Sequence, residues 1–224
     1  MHAENPSKAK VAFVAAKLKL AGFLERLGDG LFDRSLDTAG LAIEPEHADP
    51  NRRVYLPSGW RVLPKALRYL GVSGTDTFVD FGCGKGRVIH QAAKHPFRRV
   101  IGVEISPHLA EAARAGVVAH KDSYRCRDVE IVTADVTEFP VPDDLTVAYI
   151  FHSFDNETFE SILAGITQSL DRRPRRLRLI YVCPTAREQV LATRRFRVLT
   201  EQQGLLGSPM SQVTIFESLS PARQ

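Results

Sequence analysis

Hydrophobic positions along the chain follow first a helical period and then an alternation of two periods. Within 8–27, Val11, Val14, Leu18, Ala21 and Leu24 recur at helical spacing. Lys10, Lys17, Lys19 and Arg26 fall largely elsewhere, so the segment predicts a basic amphipathic helix. Such a helix can lie on a membrane, but packing on the domain or capping a ligand cleft is the simpler expectation. From Asp29 to Pro57 the pattern is broken by Gly30, Gly40, Pro45, Pro50 and Pro57. A stretch this long in a compact domain is a lid or a linker. The expected organisation is a helix-and-lid segment over 1–57, ahead of one domain over 58–224.

Helical spacing resumes at Trp60, Leu63, Leu67 and Leu70, with Ser58 as the expected N-cap. Short apolar runs then alternate with helical stretches. TFVDFG reads as a strand, followed by a helix over 85–94. RRVIGVEIS is a second strand, and Ser106 with Pro107 opens another helix. VEIVTAD and LTVAYIF follow as strands. Asp155 to Leu170 is helical, with Phe159, Ile162, Leu163 and Ile166 on one side, and RLRLIYVC is a fifth strand. Strand–helix alternation of this kind predicts parallel, right-handed crossovers. RFRVLTEQQ and SQVTIFESL, joined by GLLGSP, close the chain without a full helix between them, which predicts an antiparallel hairpin at the sheet edge.

Composition narrows the class. Of the 224 residues 44% are hydrophobic and 25% charged, the ordinary range for a soluble globular domain with a sizeable core. The net charge of +4 permits an anionic partner without requiring one. Cys83, Cys126 and Cys183 are far apart and show no CxxC spacing, which argues against a zinc site or a disulfide framework and for reduced thiols. The histidines share no metal spacing, so no metal site is expected. No apolar run reaches the roughly 18–20 residues of a membrane span, and lysines interrupt the apolar part of the first twenty residues. A cytoplasmic protein is expected. Nothing in the pattern sets an oligomeric state.

The chemistry concentrates in VDFGCGKGR, Val79 to Arg87, at the end of the first strand. Gly82, Gly84 and Gly86 let the backbone turn tightly and approach a ligand, and the next helix offers free N–H groups at its start. Asp80 is a candidate acceptor for an ammonium or a water. The P-loop pattern fails, because Gly84-Lys85 is followed by Gly86 and the required earlier glycine is Val79. The dinucleotide pattern fails by one position, since Arg87 stands where its third glycine belongs. Glu104 ends the next strand about 20 residues on, the spacing at which a carboxylate reaches a ribose diol. Asp135, with Val136 beside it, ends the third strand and is a candidate to hold an adenine edge and face.

This order of a hydrophobic residue, D-x-G-x-G-x-G, V-E at the next strand end and A-D at the third resembles class I S-adenosylmethionine-dependent methyltransferases. The resemblance covers 75–154 and implies an α/β, Rossmann-like, seven-stranded, mostly parallel sheet with an antiparallel terminal hairpin, helices on both faces and an N-terminal helical extension. It implies S-adenosyl-L-methionine as cofactor, with Asp80, Gly82, Gly84 and Gly86 around its methionine part, Glu104 on the ribose and Asp135 and Val136 on adenine. FVDFGCGKGRV with YLPSGW upstream resembles a bacterial branch related to the lysine methyltransferases that lack a SET domain. That likeness implies a lid contributing Tyr55, Pro57 and Ser58 to the site.

At the fourth strand's end the chain departs from amino-methylating relatives. Their Asn-Pro turn is replaced by His152-Ser153, and the following aromatic is kept as Phe154. A histidine there can take a proton near neutral pH, with Asp155 or Asn156 to orient it, and His152, Tyr55 and Asp155 are the candidate catalytic residues. The expected acceptor is a small molecule methylated on oxygen or nitrogen. Alternatives are a protein-lysine or RNA acceptor, or a binding module without catalysis. The basic run Arg172, Arg173, Arg175, Arg176 and Arg178 has no interleaved aromatic residues and is expected to be a solvated loop.

Overall fold

Parallel strands covered on both faces are continuous apolar runs, and that is how the central strands of this chain are built. The structure, a computed structural model, describes residues 57–151, 154–204 and 207–219. Seven strands form one sheet: β1 (Thr77–Phe81), β2 (Arg99–Glu104), β3 (Val129–Thr133), β4 (Leu145–Phe151), β5 (Arg178–Val182), β6 (Phe196–Gln202) and β7 (Val213–Ser218). Their order is β3-β2-β1-β4-β5-β7-β6. The first five are parallel, and β7 is antiparallel to both of its neighbours, β5 and β6. The expected seven-stranded Rossmann-like sheet with a reversed closing hairpin is what the chain forms. Successive strands step one way from β1 to β3 and the other way from β4 to β5. That reversal falls between β1 and β4, where open α/β sheets collect ligands beyond the strands' carboxyl ends.

Among the described residues five helices cover the sheet: α1 (Val62–Leu70), α2 (Arg87–Ala93), α3 (Pro107–His120), α4 (Asn156–Arg172) and α5 (Arg187–Ala192). Alternate strand residues sort them into two layers. Phe78, Val147, Tyr149, Ile180 and Ile215 pack with Leu63, Leu67, Ile89 and Ala113 of α1–α3. Val79, Phe81, Ile101, Ile150 and Tyr181 pack with Phe159, Ile162, Ile166 and Val190 of α4 and α5. The caps follow from the sequence: Ser106 Oγ accepts from Leu109 N at 3.4 Å with Pro107 in the first turn, and Asp155 Oδ1 accepts from Thr158 N at 2.7 Å.

Several expectations are corrected. The N-cap position of α1 is held by Arg61, not by Ser58, which lies three residues earlier and is buried. Helix α2 starts at Arg87 and not Lys85, because Gly86 has φ +82° and ends the turn before the helix. Helix α5 went unseen, since it has six residues and only Val190 buried, too few to show a period. The arginine run is a solvated loop only in part: Arg172, Arg173 and Arg176 are exposed, but Arg175 and Arg178 turn inward. Arg178 is buried in an ion pair with Asp76 at 2.6 Å. Arg175 donates to the carbonyls of Ser169 and Pro142 at 2.9 and 3.3 Å, and Arg172 meets Asp143 at 2.7 Å. Only Arg173 of the five is left without an ionic or hydrogen-bonded side chain among the described residues.

Candidate functional site

The glycine turn leaves β1 at its carboxyl end, beside β4 and below the crossover reversal. Gly82, Gly84 and Gly86 all take positive φ, at 81°, 53° and 82°. The amides of Gly82 and Cys83 both donate to Val103 O at 2.9 Å, which folds the turn back over β2. A Cβ on Gly82 would lie 2.9 Å from Phe154 Cζ, so glycine is needed there twice, for its φ and for its lack of a side chain. Phe154, just beyond β4, thus rests on the turn.

Glu104 ends β2 with its carboxylate held from two sides. Gly84 N donates to Oε2 at 2.8 Å and Ser106 N donates to Oε1 at 2.9 Å. The fixed carboxylate joins the glycine turn to the start of α3. Each of its oxygens has accepted one bond and retains a second lone pair, so a vicinal diol can still be received. Ile105, the next residue, is a large apolar side chain left 40% exposed at the same edge. Sequence reasoning passed over it; the signal was an isoleucine directly after the strand-end acid, where the chain should already have turned polar.

Asp80 sits in β1 opposite Gly102 of β2 and is buried, with no hydrogen bond to its carboxyl among the described residues. Burial and then the nearby negative charge of Glu104 push its pKa well above the usual carboxylate range. A buried acid without a donor is costly as an anion, and a cation placed at the turn would relieve that cost. Cys83, buried within the turn, is likewise pushed up by burial and by the two acids, so it is no nucleophile.

Asp135 and Val136 follow β3, and Ala134 N donates to Glu104 O at 3.1 Å, so this strand end lies next to that of β2. Asp135 Oδ1 accepts from the amide and hydroxyl of Thr137, both at 2.8 Å. That leaves Oδ2 for another donor. Val136 is buried in the α4–α5 core. The carbonyl of Ser58 accepts from Arg87 Nη1 at 3.1 Å, while the Arg87 guanidinium lies 5.2 Å from the Trp60 ring centroid. This buried arginine ties the entry of α1 to the residue after Gly86. Asp155 is occupied as the cap of α4. Tyr55, His152 and, apart from Pro57, the expected helix-and-lid segment over 1–57 lie outside the described residues. The structure thus brings together Asp80, the three glycines, Glu104, Asp135 and Val136 along adjacent strand ends. Among the described residues no group of His, Cys, Asp and Glu could hold a metal, and no helix is long and apolar enough to cross a membrane.

Comparison with known proteins agrees with this geometry. Residues 78–173 match the family model described as a methyltransferase domain. A small RNA 2'-O-methyltransferase of Arabidopsis thaliana is 33% identical over 78 residues, which is 33% of this chain and 8% of that protein. The chain therefore spans only a small part of the curated relative it matches. An RNA methyltransferase from Salinibacter ruber, crystallised with S-adenosyl-L-homocysteine, superposes with a TM-score of 0.50 at 20% identity over 75% of this chain and 96% of its own. A ribosomal protein L11 methylase from Lactobacillus delbrueckii subsp. bulgaricus gives 0.54 at 17% identity over 72% and 78%. Sheet order and glycine turn define a Rossmann-like fold, and residues 78–173 are similar to the methyltransferase-domain family.

Proposed function

We propose that the protein transfers a methyl group from S-adenosylmethionine to an oxygen or nitrogen acceptor held beyond the carboxyl ends of β1 and β4. The observation that carries the reading is Glu104, a carboxylate fixed by the amides of Gly84 and Ser106 with acceptor capacity to spare. When bound, the cofactor supplies an electrophilic methyl on a sulfonium. The chain's residues fit such a ligand. Glu104 would accept from the ribose hydroxyls, Ile105 and Val136 would flank the base, and Asp135 would receive its amino edge. Asp80 would face the positively charged end and give up its proton as that charge arrives. The glycine turn admits the ligand's close approach.

For the acceptor, the chain need only hold the nucleophile in line, exclude water and remove a proton if the nucleophile is a hydroxyl. His152, directly after β4, is the proposed base, and Tyr55 a proposed contact from the preceding segment. A small-molecule acceptor is the simplest class. A protein lysine is suggested by the FVDFGCGKGRV likeness, and RNA by relatives named for RNA methylation.

Calorimetry with S-adenosylhomocysteine tests the cofactor. The parent should bind, and Glu104→Ala should lose about 2–4 kcal/mol of affinity through its charge-assisted hydrogen bonds. An unchanged affinity in that variant removes Glu104 from the site. Transfer of labelled methyl, with His152→Asn as the comparison, tests the base: turnover should fall by roughly 10²–10⁴ if a hydroxyl is methylated. A fully active Asn variant would point to nitrogen.

A further inference from the structure

Charge is distributed unequally over the two faces of the sheet. On the α1–α3 face, α1 and α2 contain no acidic residue, and α3 contains only Glu111, which pairs with Arg114 at 3.3 Å. Against this stand Arg61, Lys65 and Arg68, spaced i, i+4 and i+7 along α1, so they share one helix face about 10 Å long. All three are exposed, and none of their side chains has an ion pair or hydrogen bond among the described residues. Lys94 at the end of α2, and Lys121 and Arg125 after α3, are exposed and unpaired in the same way, with Asp122 between the last two as the one exposed acid of that turn. On the α4–α5 face most cations are matched, Arg173 and Arg194 being exposed without a partner among the described residues. Arg187 and Arg195 there are matched to Glu201 and Asp171, at 3.0 and 2.5 Å. Asp155, Glu157 and Glu160 stand exposed at the start of α4.

The stripe starts at the site. Arg61 follows Trp60, whose ring lies against Arg87, and Arg87 follows Gly86. A chain of phosphates lying along α1 would therefore lead to the crevice above β1 and β4. Tyr69, beside Arg68 and 51% exposed, offers a flat ring on which a base can stack. A membrane surface fits less well. Besides Tyr69 the large exposed apolar side chain on these helices is Val118, on α3, and two scattered residues make no inserting face. A duplex fits less well too, because an acceptor atom must leave its stack to enter a crevice, which unpaired RNA does readily.

We propose that the α1–α3 face docks a single-stranded stretch of RNA, its phosphates on Arg61, Lys65, Arg68 and Lys94, and so presents a nucleotide to the site. RNA as the methyl acceptor, and the preference for a single strand over a duplex, rest on the methyl-transfer reading; the cationic docking surface does not.

The test is fluorescence anisotropy of the full chain with a labelled single-stranded RNA of about 20 nucleotides, at salt from about 50 to 200 mM. The variant Arg61→Glu/Lys65→Glu/Arg68→Glu should lose about tenfold or more in affinity. Its log–log salt slope should be shallower by about 2, as expected for three lost phosphate contacts on a single strand. Arg173→Glu/Arg194→Glu, on exposed and unpaired arginines away from this face, should bind as the parent does. Melting temperature and S-adenosylhomocysteine affinity report that each variant is folded. The proposal is overturned if the triple variant binds RNA like the parent, if the control variant loses as much, or if duplex DNA or phosphatidylserine vesicles compete as well as RNA. Should RNA binding follow the prediction while S-adenosylhomocysteine does not bind the parent, the docking surface stands and the methyl-transfer reading falls.

Discussion

On the α4–α5 side of the sheet most charges answer one another in solvent, whereas on the α1–α3 side polar groups are mostly enclosed or left bare, Arg114–Glu111 being an exposed pair there. The first layer has an apolar interior and an outer net of exposed pairs such as Arg172–Asp143 and Arg195–Asp171. The second encloses Arg87 against Trp60, and one turn further along α2 it encloses His90, whose Nδ1 lies 2.9 Å from Tyr124 Oη. His120 adds an edge-on ring with its centroid 5.0 Å from that of His90. Burial pushes the Tyr124 hydroxyl up to about 12, so it stays a neutral partner for the imidazole. The layer nearest the glycine turn is thus specified by oriented polar contacts, and the far layer by shape and screened charge. Perturbation should therefore cost much on one side and little on the other.

The largest effect is expected at Arg178–Asp76. Both side chains are almost wholly enclosed, and Asp76 also accepts from Thr146 Oγ1 at 2.8 Å and from Ser73 N at 2.8 Å. Burial alone would raise the Asp76 pKa, but those bonds and the Arg178 charge outweigh it and hold it below the usual value. Arg178→Met leaves a buried carboxylate without its cation and should cost about 3–5 kcal/mol in urea unfolding. The parent's share from Asp76 is present above the unfolded carboxyl value and is lost as pH falls through the lowered folded one. A loss under 1 kcal/mol in Arg178→Met would show that the pair is not what anchors β5 to the approach of β1.

Next comes Gly82→Ala. The left-handed backbone costs about 1–2 kcal/mol for a residue with a Cβ, and contact with the Phe154 ring adds to it. Phe154→Ala in the same chain should return the contact part only. A double variant as unstable as Gly82→Ala alone would mean the ring was never pressed on the turn.

His90 separates the layers by pH. Burial first, then the charges of Lys94 and His120, lower its pKa from 6.5 to about 4. The folded state therefore refuses a proton that the unfolded chain accepts. Stability from this source is intact above about pH 6.5 and declines toward pH 4, by on the order of 1–3 kcal/mol. Thermal melts of His90→Phe should show a flatter profile across that window; parallel profiles would refute the assignment. The smallest effect belongs to the far side, where Arg172→Ala should leave the urea midpoint almost unmoved, and less moved still in high salt.

What could be read from the chain beforehand was what local pattern controls. Strand cores such as LTVAYIF, the three glycines, Glu104 and the Ser106–Pro107 start each carry their cause within a few residues. What could not be read was set by partners distant in sequence. Arg178 looks like one more surface arginine until the fold sets Asp76 against it, 102 positions away. Ser58 looks like a cap, but Arg87 takes its carbonyl and the helix begins later. The stripe on α1 was hidden for another reason: Arg61, Lys65 and Arg68 never adjoin in sequence, while the eye is drawn to the contiguous arginines, which the fold neutralises.

Gly102 in β2 carries a consequence for how this site can change over generations. A Cβ there would sit 2.7 Å from Cys83 Sγ and 3.0 Å from Ile131 Cδ1, so the thiol of the glycine turn occupies the room that the strand leaves open. Residue 102 cannot gain a side chain while Cys83 keeps its thiol there. Enlarging residue 102 first overpacks the turn, and with it the amide of Gly84 that holds Glu104. Shrinking residue 83 first opens a small void that a side chain at 102 can then fill. Substitution at this pair should therefore run in one order, with Cys83 giving way to serine, alanine or glycine before Gly102 gains a side chain.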